Sequence, residues 1–286
     1  MTSYMTPSAE LRARVALEKH GFHNTHSLGQ NFLLDEGLLS ALLDAADIRP
    51  DDHVVEVGPG AGVMTALLAS RCKQVSAYEL DRGLEPVLRD VLGGVENVEV
   101  RFEDFMKADL RTAAGDGPWR VVANLPYYIT ADIITRLVTS PTPPESVAIM
   151  VQKEAAERVM ASPGNKTWCA LAALTQSYGT AEVLMDVPAE AFSPPPHVQS
   201  QFILIKKHAV PAVAPKDGRL YIKVVNAAFA MRRKTLANNL KAAFGLDQAA
   251  ALAVLERAGV DARVRGEALS LPELARVSDA LMERGA

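Results

Sequence analysis

Cysteine is nearly absent. Cys72 and Cys169 are the only two among 286 residues, and no CxxC spacing joins them. That usage excludes a disulfide framework and a cysteine zinc site and suits a reducing compartment. Long apolar runs are missing too: charged or polar residues interrupt every hydrophobic stretch, so no bilayer span and no membrane association are expected. The stretch from Met1 to Phe22 carries Glu10 and Glu18 among its basic residues and lacks a continuous apolar core, which argues against a secretory signal and for a cytoplasmic location. Net charge is also scarce, with 30 Lys plus Arg against 34 Asp plus Glu, or -4 formally. What remains, 49% hydrophobic and 22% charged residues, is the composition of a soluble globular protein with one large domain or one large and one small.

The small net charge hides an asymmetry. Lys206 to Lys241 holds nine basic residues against one acid, Asp217, a local +8 that leaves -12 elsewhere. An acidic body with one basic segment suits a protein that offers a local patch to a polyanion; on charge alone, a solvated helix face fits equally well. Pro194-Pro195-Pro196, then Pro211 and Pro215 among small residues, read as breakers and a linker. The expected division is therefore 1–210, including an amino-terminal arm over 1–30, and 211–286. Past the linker, Leu220 to Phe229, Arg233 to Phe244, Gln248 to Ala258 and Pro272 to Glu283 repeat apolar residues at helical spacing, so the second domain should be small and helical.

Upstream the pattern alternates. His53 to Val57, Gln74 to Glu79, Val98 to Phe102, Arg120 to Ala123 and Ser146 to Val151 are short strand-like runs separated by helix-length segments, the rhythm of an α/β, doubly wound parallel sheet. Glu182 to Val187 and Val198 to Ile205 should pair antiparallel at its edge. After the first strand comes Glu56-Val57-Gly58-Pro59-Gly60-Ala61-Gly62, then a helical run from Val63 to Ser70. Glycines let the backbone turn sharply and let a ligand lie against it. A dinucleotide fold wants glycine or alanine where Val63 stands; the GxGxG form, with Glu56 two residues ahead, is more typical of nucleoside sulfonium binding. Glu79, at the end of the second strand, is placed to accept from both hydroxyls of a ribose, and Asp104, after the third, to accept from an adenine amino group.

The fourth strand ends in Asn124-Leu125-Pro126-Tyr127. An amine conjugated to a base ring is a poor nucleophile, so a site that uses one must align its nitrogen with an electrophilic carbon. Asn124 offers a side-chain carbonyl and Leu125 a backbone carbonyl for the two amino hydrogens. Pro126 stiffens the turn, and Tyr127 offers a face for stacking. The bland alternative is an ordinary Asn-Pro turn with a buried tyrosine.

Six motifs occur in one order: Ser27-Leu28-Gly29-Gln30-Asn31-Phe32-Leu33, Glu56 to Gly62, Asn124 to Tyr127, Gln152-Lys153-Glu154, Phe192-Ser193-Pro194-Pro195-Pro196 and Arg232-Arg233-Lys234-Thr235-Leu236. Together they resemble the ribosomal RNA small subunit adenine dimethyltransferase family, KsgA type, from about residue 20 to 280. The resemblance implies a Rossmann-like class I methyltransferase sheet and S-adenosylmethionine as methyl donor. As acceptors it implies two adjacent adenines in a hairpin loop of small-subunit ribosomal RNA, in an immature small ribosomal subunit met by a monomeric enzyme during ribosome biogenesis. It further implies that Asn31 and Leu33 line the cofactor pocket with Gly58 and Gly60, that Glu79 holds the ribose and Asp104 the adenine, and that cofactor and target base converge at Asn124. Phe192 would form a second aromatic wall opposite Tyr127, and Arg232, Arg233 and Lys234 would grip RNA. Gln199 stands where the family has aspartate, and Trp168-Cys169 replaces Tyr-Gly, which puts RNA contacts in question rather than the chemistry.

Three other readings compete: a large-subunit ribosomal RNA adenine methyltransferase of the antibiotic-resistance type, an assembly factor that acts by binding, and a dinucleotide oxidoreductase. The Arg232 to Leu236 run, the intact tetrapeptide and Val63 weigh against them in turn. Methyl transfer from a sulfonium needs no metal and no covalent nucleophile. The spacing of His20, His23 and His26 is read as incidental.

Overall fold

The computed structural model describes residues 7–22, 30–115 and 117–285. Ser27, Leu28, Gly29, His23 and His26 lie outside them. Among the described residues no helix is long and apolar enough to cross a membrane.

The chain forms two compact units. The first runs to Ala156 and resumes over Glu182–Lys206; the second takes Glu157–Ala181 and everything from Lys207. The single cut at residue 210 that the prolines suggest thus becomes a discontinuous division. One reason is Trp168, fully buried in the second unit: it lies edge-on to Phe229 with ring centroids 6.1 Å apart, and its Nε1 donates to the Leu269 carbonyl at 3.0 Å. This departure from the family pattern is therefore a core residue, not an RNA contact, whereas Gln199 is exposed.

In the first unit the elements are α1 (Ala9–Lys19), β1 (Phe32–Leu33), α2 (Glu36–Ala45), β2 (His53–Val57), α3 (Val63–Ala69), β3 (Gln74–Tyr78), α4 (Glu85–Leu92), β4 (Val98–Arg101), α5 (Leu110–Ala114), β5 (Trp119–Asn124), α6 (Thr130–Val138) and β6 (Ser146–Gln152). Helix α7 (Lys153–Val159) leads into the second unit, which holds α8 (Ala170–Tyr178). The chain returns through β7 (Gly179–Val187), β8 (Phe192–Ser193) and β9 (Ser200–Lys207). The large sheet has the order β4-β3-β2-β5-β6-β9-β7, with β4 through β6 parallel and β9 antiparallel to β6. All five expected parallel strands are present. The two later runs are neighbours at the edge, the second of them starting at Ser200 rather than Val198.

Burial explains the strand sequences. Ser146 to Val151 in β6 are buried without alternation, because helices cover both faces of a parallel sheet. Helix α4 buries Val87, Leu88, Val91 and Leu92 on one face, and Asp35 caps α2 by accepting from Leu38 N at 2.9 Å. Part of the expected amino-terminal arm is itself helical: α1 buries Ala9, Ala13 and Ala16, spaced four and three apart. His20, just beyond it, pairs with Asp90 (Nε2 to Oδ2 2.9 Å), so it is a surface partner of α4.

Strand order runs outward from β2 on one side and from β5 on the other, which makes the gap between their carboxyl ends the place for a ligand. The second unit continues with α9 (Gly218–Ala230), α10 (Leu236–Phe244), α11 (Gln248–Ala258) and α12 (Leu271–Glu283). Residues Arg232 to Lys234, expected in part on a helix, form instead the turn between α9 and α10, closed by Lys234 N donating to Met231 O at 2.9 Å.

Candidate active site

A cavity opens at the carboxyl ends of β2, β3 and β5. Its floor is the turn after β2, where Gly58, Gly60 and Gly62 have φ of 72°, 56° and 81°, angles that side chains disfavour. At Gly60 space is closed as well, since a Cβ would lie 3.0 Å from the Phe32 ring. The Gly60 amide donates to Glu79 Oε2 at 3.2 Å, and Glu79 Oε1 accepts from Asp81 N at 2.8 Å. Glu79 therefore braces the glycine turn across the gap between β2 and β3, while each oxygen retains a lone pair for a ligand. Burial pushes its carboxyl above the usual range, and the Asp81 and Gly60 amides pull it back.

Just ahead of the turn, Glu56 is fully buried. Burial pushes its carboxyl up to about 8; the Thr65 hydroxyl opposes the rise and the Glu79 charge adds to it. Thr65 stands close but short of full hydrogen-bond geometry, so neither oxygen of Glu56 meets a well-aligned donor among the described residues.

Asp104 lies in the wall beyond β4. Its Oδ1 accepts from Met106 N at 2.9 Å, and its Oδ2 is 3.5 Å from the exposed Lys107 ammonium. Near Glu79 and Asp104 in sequence, the lining includes apolar Leu80, Phe105 and Met106 as well as Glu103. Across the cavity, Asn124 closes β5. Its Nδ2 donates to the Asn31 carbonyl at 3.2 Å, which fixes the amide and turns its oxygen to the other side. The Pro126 carbonyl is spent within the Tyr127–Ile129 turn, accepting from Ile129 N at 3.2 Å. The Tyr127 hydroxyl shares a hydrogen bond of 2.7 Å with Oγ of buried Ser200 on β9, and burial raises the phenol while that bond opposes the rise.

Asn31, Leu33, Gly58, Gly60, Glu79, Asp104 and the whole Asn124 to Tyr127 run face this one cavity. Phe192 does not. It pairs with Leu33 in the two-stranded β1–β8 ladder and is only 3% exposed, packed in the apolar cluster with Phe32 and Phe202, so it stands behind the wall rather than in it. Leu80, Met106 and Tyr128 also line the cavity; for Leu80 and Met106 the sequence signal is an apolar residue directly after Glu79 and two after Asp104, whereas Tyr128 follows no acid. The lining carries Glu79, Glu103 and Asp104 and, among the described residues, no lysine or arginine. Such a cavity favours a cation over an anion, which weighs against the dinucleotide reading.

In the second unit, Arg232 donates to the Lys166 carbonyl and lies 3.7 Å from Glu267 Oε2. It is thus partly committed to its own fold. Arg233 and Lys234 are exposed and form no ion pair among the described residues. Among the described residues no cluster of three potential metal ligands occurs.

The sheet order, a glycine turn braced by a strand-end carboxylate, and a cavity that carries acids without bases define a class I S-adenosylmethionine-dependent methyltransferase. Residues 21–280 match the family "Ribosomal RNA adenine dimethylase", and the chain belongs to it. It is an S-adenosylmethionine-dependent ribosomal RNA adenine dimethyltransferase. It is 42% identical over 285 residues to "Ribosomal RNA small subunit methyltransferase A" of Streptococcus thermophilus (strain CNRZ 1066), covering 95% of this chain and 97% of that protein. A protein of the same name from Geobacillus thermodenitrificans (strain NG80-2) is also 42% identical, with 95% of each chain covered. Among solved structures, the 23S rRNA methyltransferase ErmE is similar at 28% identity and a TM-score of 0.64, over 88% of this chain and all of that one. A dimethyladenosine transferase from Plasmodium falciparum shares the fold at a TM-score of 0.69 and 23% identity, over 84% of this chain and 94% of that one.

Proposed function

We propose that this enzyme dimethylates two adjacent adenines in a hairpin loop of small-subunit ribosomal RNA, acting in the cytoplasm as a monomer on an immature small subunit. The observation that carries the chemistry is the meeting of Asn124 to Tyr127 with an acidic cavity free of lysine and arginine. The choice of small over large subunit rests on the 42% identity to proteins named for the small subunit, against 28% to the large-subunit enzyme. When bound, S-adenosylmethionine supplies an activated methyl on a sulfonium. The residues fit it: Glu79 is braced to accept from ribose hydroxyls, Leu80 and Met106 offer apolar faces for its adenine beside Asp104, and the Gly58 to Gly60 backbone leaves room for the amino-acid end.

Asn124, held from behind by Asn31, presents its amide oxygen to one amino hydrogen of the target, and the Leu125 carbonyl accepts the other. Tyr127, pinned through its hydroxyl to Ser200, offers its ring to the base. Phe192 supports this wall through Leu33 rather than by touching the base. The methylated amine is acidic enough to give up its proton to solvent, so no strong base is required. The direct test is transfer of labelled methyl from S-adenosylmethionine to unmethylated small subunits with mapping of the modified nucleotides. Label on large-subunit RNA alone would favour the other enzyme.

Loss of a charged acceptor costs about 1.5 to 3 kcal/mol. Glu79→Ala should therefore weaken S-adenosylmethionine binding roughly tenfold or more, with the loosened Gly60 turn adding to the loss. Calorimetry that returns an unchanged affinity removes Glu79 from the site.

The exposed, unpaired charges of Arg233 and Lys234 make them better RNA grips than Arg232. Phosphate contacts release counterions, so removing both charges should flatten the salt dependence of subunit binding by about two in slope and leave cofactor affinity alone. An unaltered slope means that the patch is a solvated face.

A further inference from the structure

Tyr128 is the one aromatic ring among the strongly exposed large hydrophobic residues of the described chain. It is 64% exposed, lies in the lining of the cavity, and follows Tyr127 on the same single turn, Tyr127–Ile129. Its neighbour is anchored: the Tyr127 hydroxyl bonds Ser200, and that ring is half-buried. Tyr128 has no such anchor, and no hydrogen bond or ring contact holds it among the described residues. A large apolar ring left open at the mouth of a site loses contact with water only when a ligand covers it.

We propose that Tyr128 is a stacking platform for the unpaired base next to the target, a second base subsite at the rim of the cavity. This rests on the reading of the substrate as a loop with adjacent adenines. Electrostatics select the part of the RNA that this rim can hold. With Glu79, Glu103 and Asp104 in the cavity lining and no lysine or arginine there among the described residues, the cavity offers nothing to hold a phosphate, whereas the face of a base carries no charge and stacks on an aromatic ring whatever its sequence. An unstacked target leaves its neighbour without one stacking partner, and a ring one residue from Tyr127 can replace it. When the first adenine is finished, the second is already held beside the pocket.

The test is steady-state methylation of unmethylated small subunits by the wild-type enzyme and by Tyr128→Phe, Tyr128→Leu and Tyr128→Ala, together with calorimetric titration of S-adenosylmethionine. An exposed position makes all three variants safe to fold. Tyr128→Phe should match the wild type, while Tyr128→Leu and Tyr128→Ala should raise KM for the subunit about tenfold with little change in kcat or in cofactor affinity. Mass spectrometry of partial reactions with Tyr128→Ala should show more molecules with only one adenine modified. An unchanged KM, a leucine variant as good as phenylalanine, or an equal loss of cofactor affinity would each overturn the proposal. Failure of the substrate reading itself looks different, because the wild-type enzyme would then leave small subunits unlabelled.

Discussion

Asn124→Ala should lower the rate of methyl transfer by about two to three orders of magnitude, the loss typical of removing one preorganised hydrogen-bonding group from a transition state. Affinity for the ribosomal substrate should change far less, because alignment of the nitrogen matters most as the new bond forms. The position of Asn124 sharpens this expectation. Its amide is held by the Asn31 carbonyl at the end of a central parallel strand, so the acceptor is fixed before substrate arrives. A first methyl group replaces one amino hydrogen, and the second transfer then has a single hydrogen to share between the Asn124 and Leu125 acceptors. The variant should slow both additions. Single-turnover mass spectrometry of the target nucleotides measures the two steps separately, and near wild-type rates for both would remove Asn124 from the chemistry.

The inner strands were legible because they are buried on both faces and therefore write continuous apolar runs, as in Val147 to Val151. Glu79 was legible because it directly follows the end of β3, and Asp104 because it lies three residues past the end of β4. Phe192 was not. Its burial depends on a ladder with Phe32 and Leu33, a strand of two residues, too short to show a period and 160 residues away. The unit boundary was hidden for a related reason: nothing local in 157–181 announces that Trp168 will pack on Phe229. Arg232 read as a free cation because its partner, Glu267, comes from a loop 35 residues later. Tyr128 was invisible because only the single turn after β5 decides that Tyr127 is held inward and Tyr128 left out.

Glu56→Gln should stabilise the protein, and the gain should grow with pH. In the folded chain burial lifts the Glu56 carboxyl to about 8, whereas in the unfolded chain it returns to the ordinary 4.5. Below about pH 4.5 both states carry the proton, and the group contributes no difference. As pH rises above that value the unfolded chain gives up the proton while the folded chain keeps it. Stability therefore falls by about 1.4 kcal/mol per pH unit until the folded group ionises near 8, and the loss is then complete. Glutamine has nearly the same shape and no proton to lose, so its variant lacks this slope. Denaturation of both proteins from pH 4.5 to 9 isolates the effect, since groups that do not interact with Glu56 cancel in the difference and the Glu79 charge, which adds to the Glu56 rise, enters as part of it. The two curves should meet at the acidic end and separate steadily toward pH 8, with the variant higher by several kcal/mol at most. Parallel curves across the range would mean that Glu56 is ionised in the folded protein, and that the Thr65 hydroxyl or trapped water stabilises the charge beside the glycine turn.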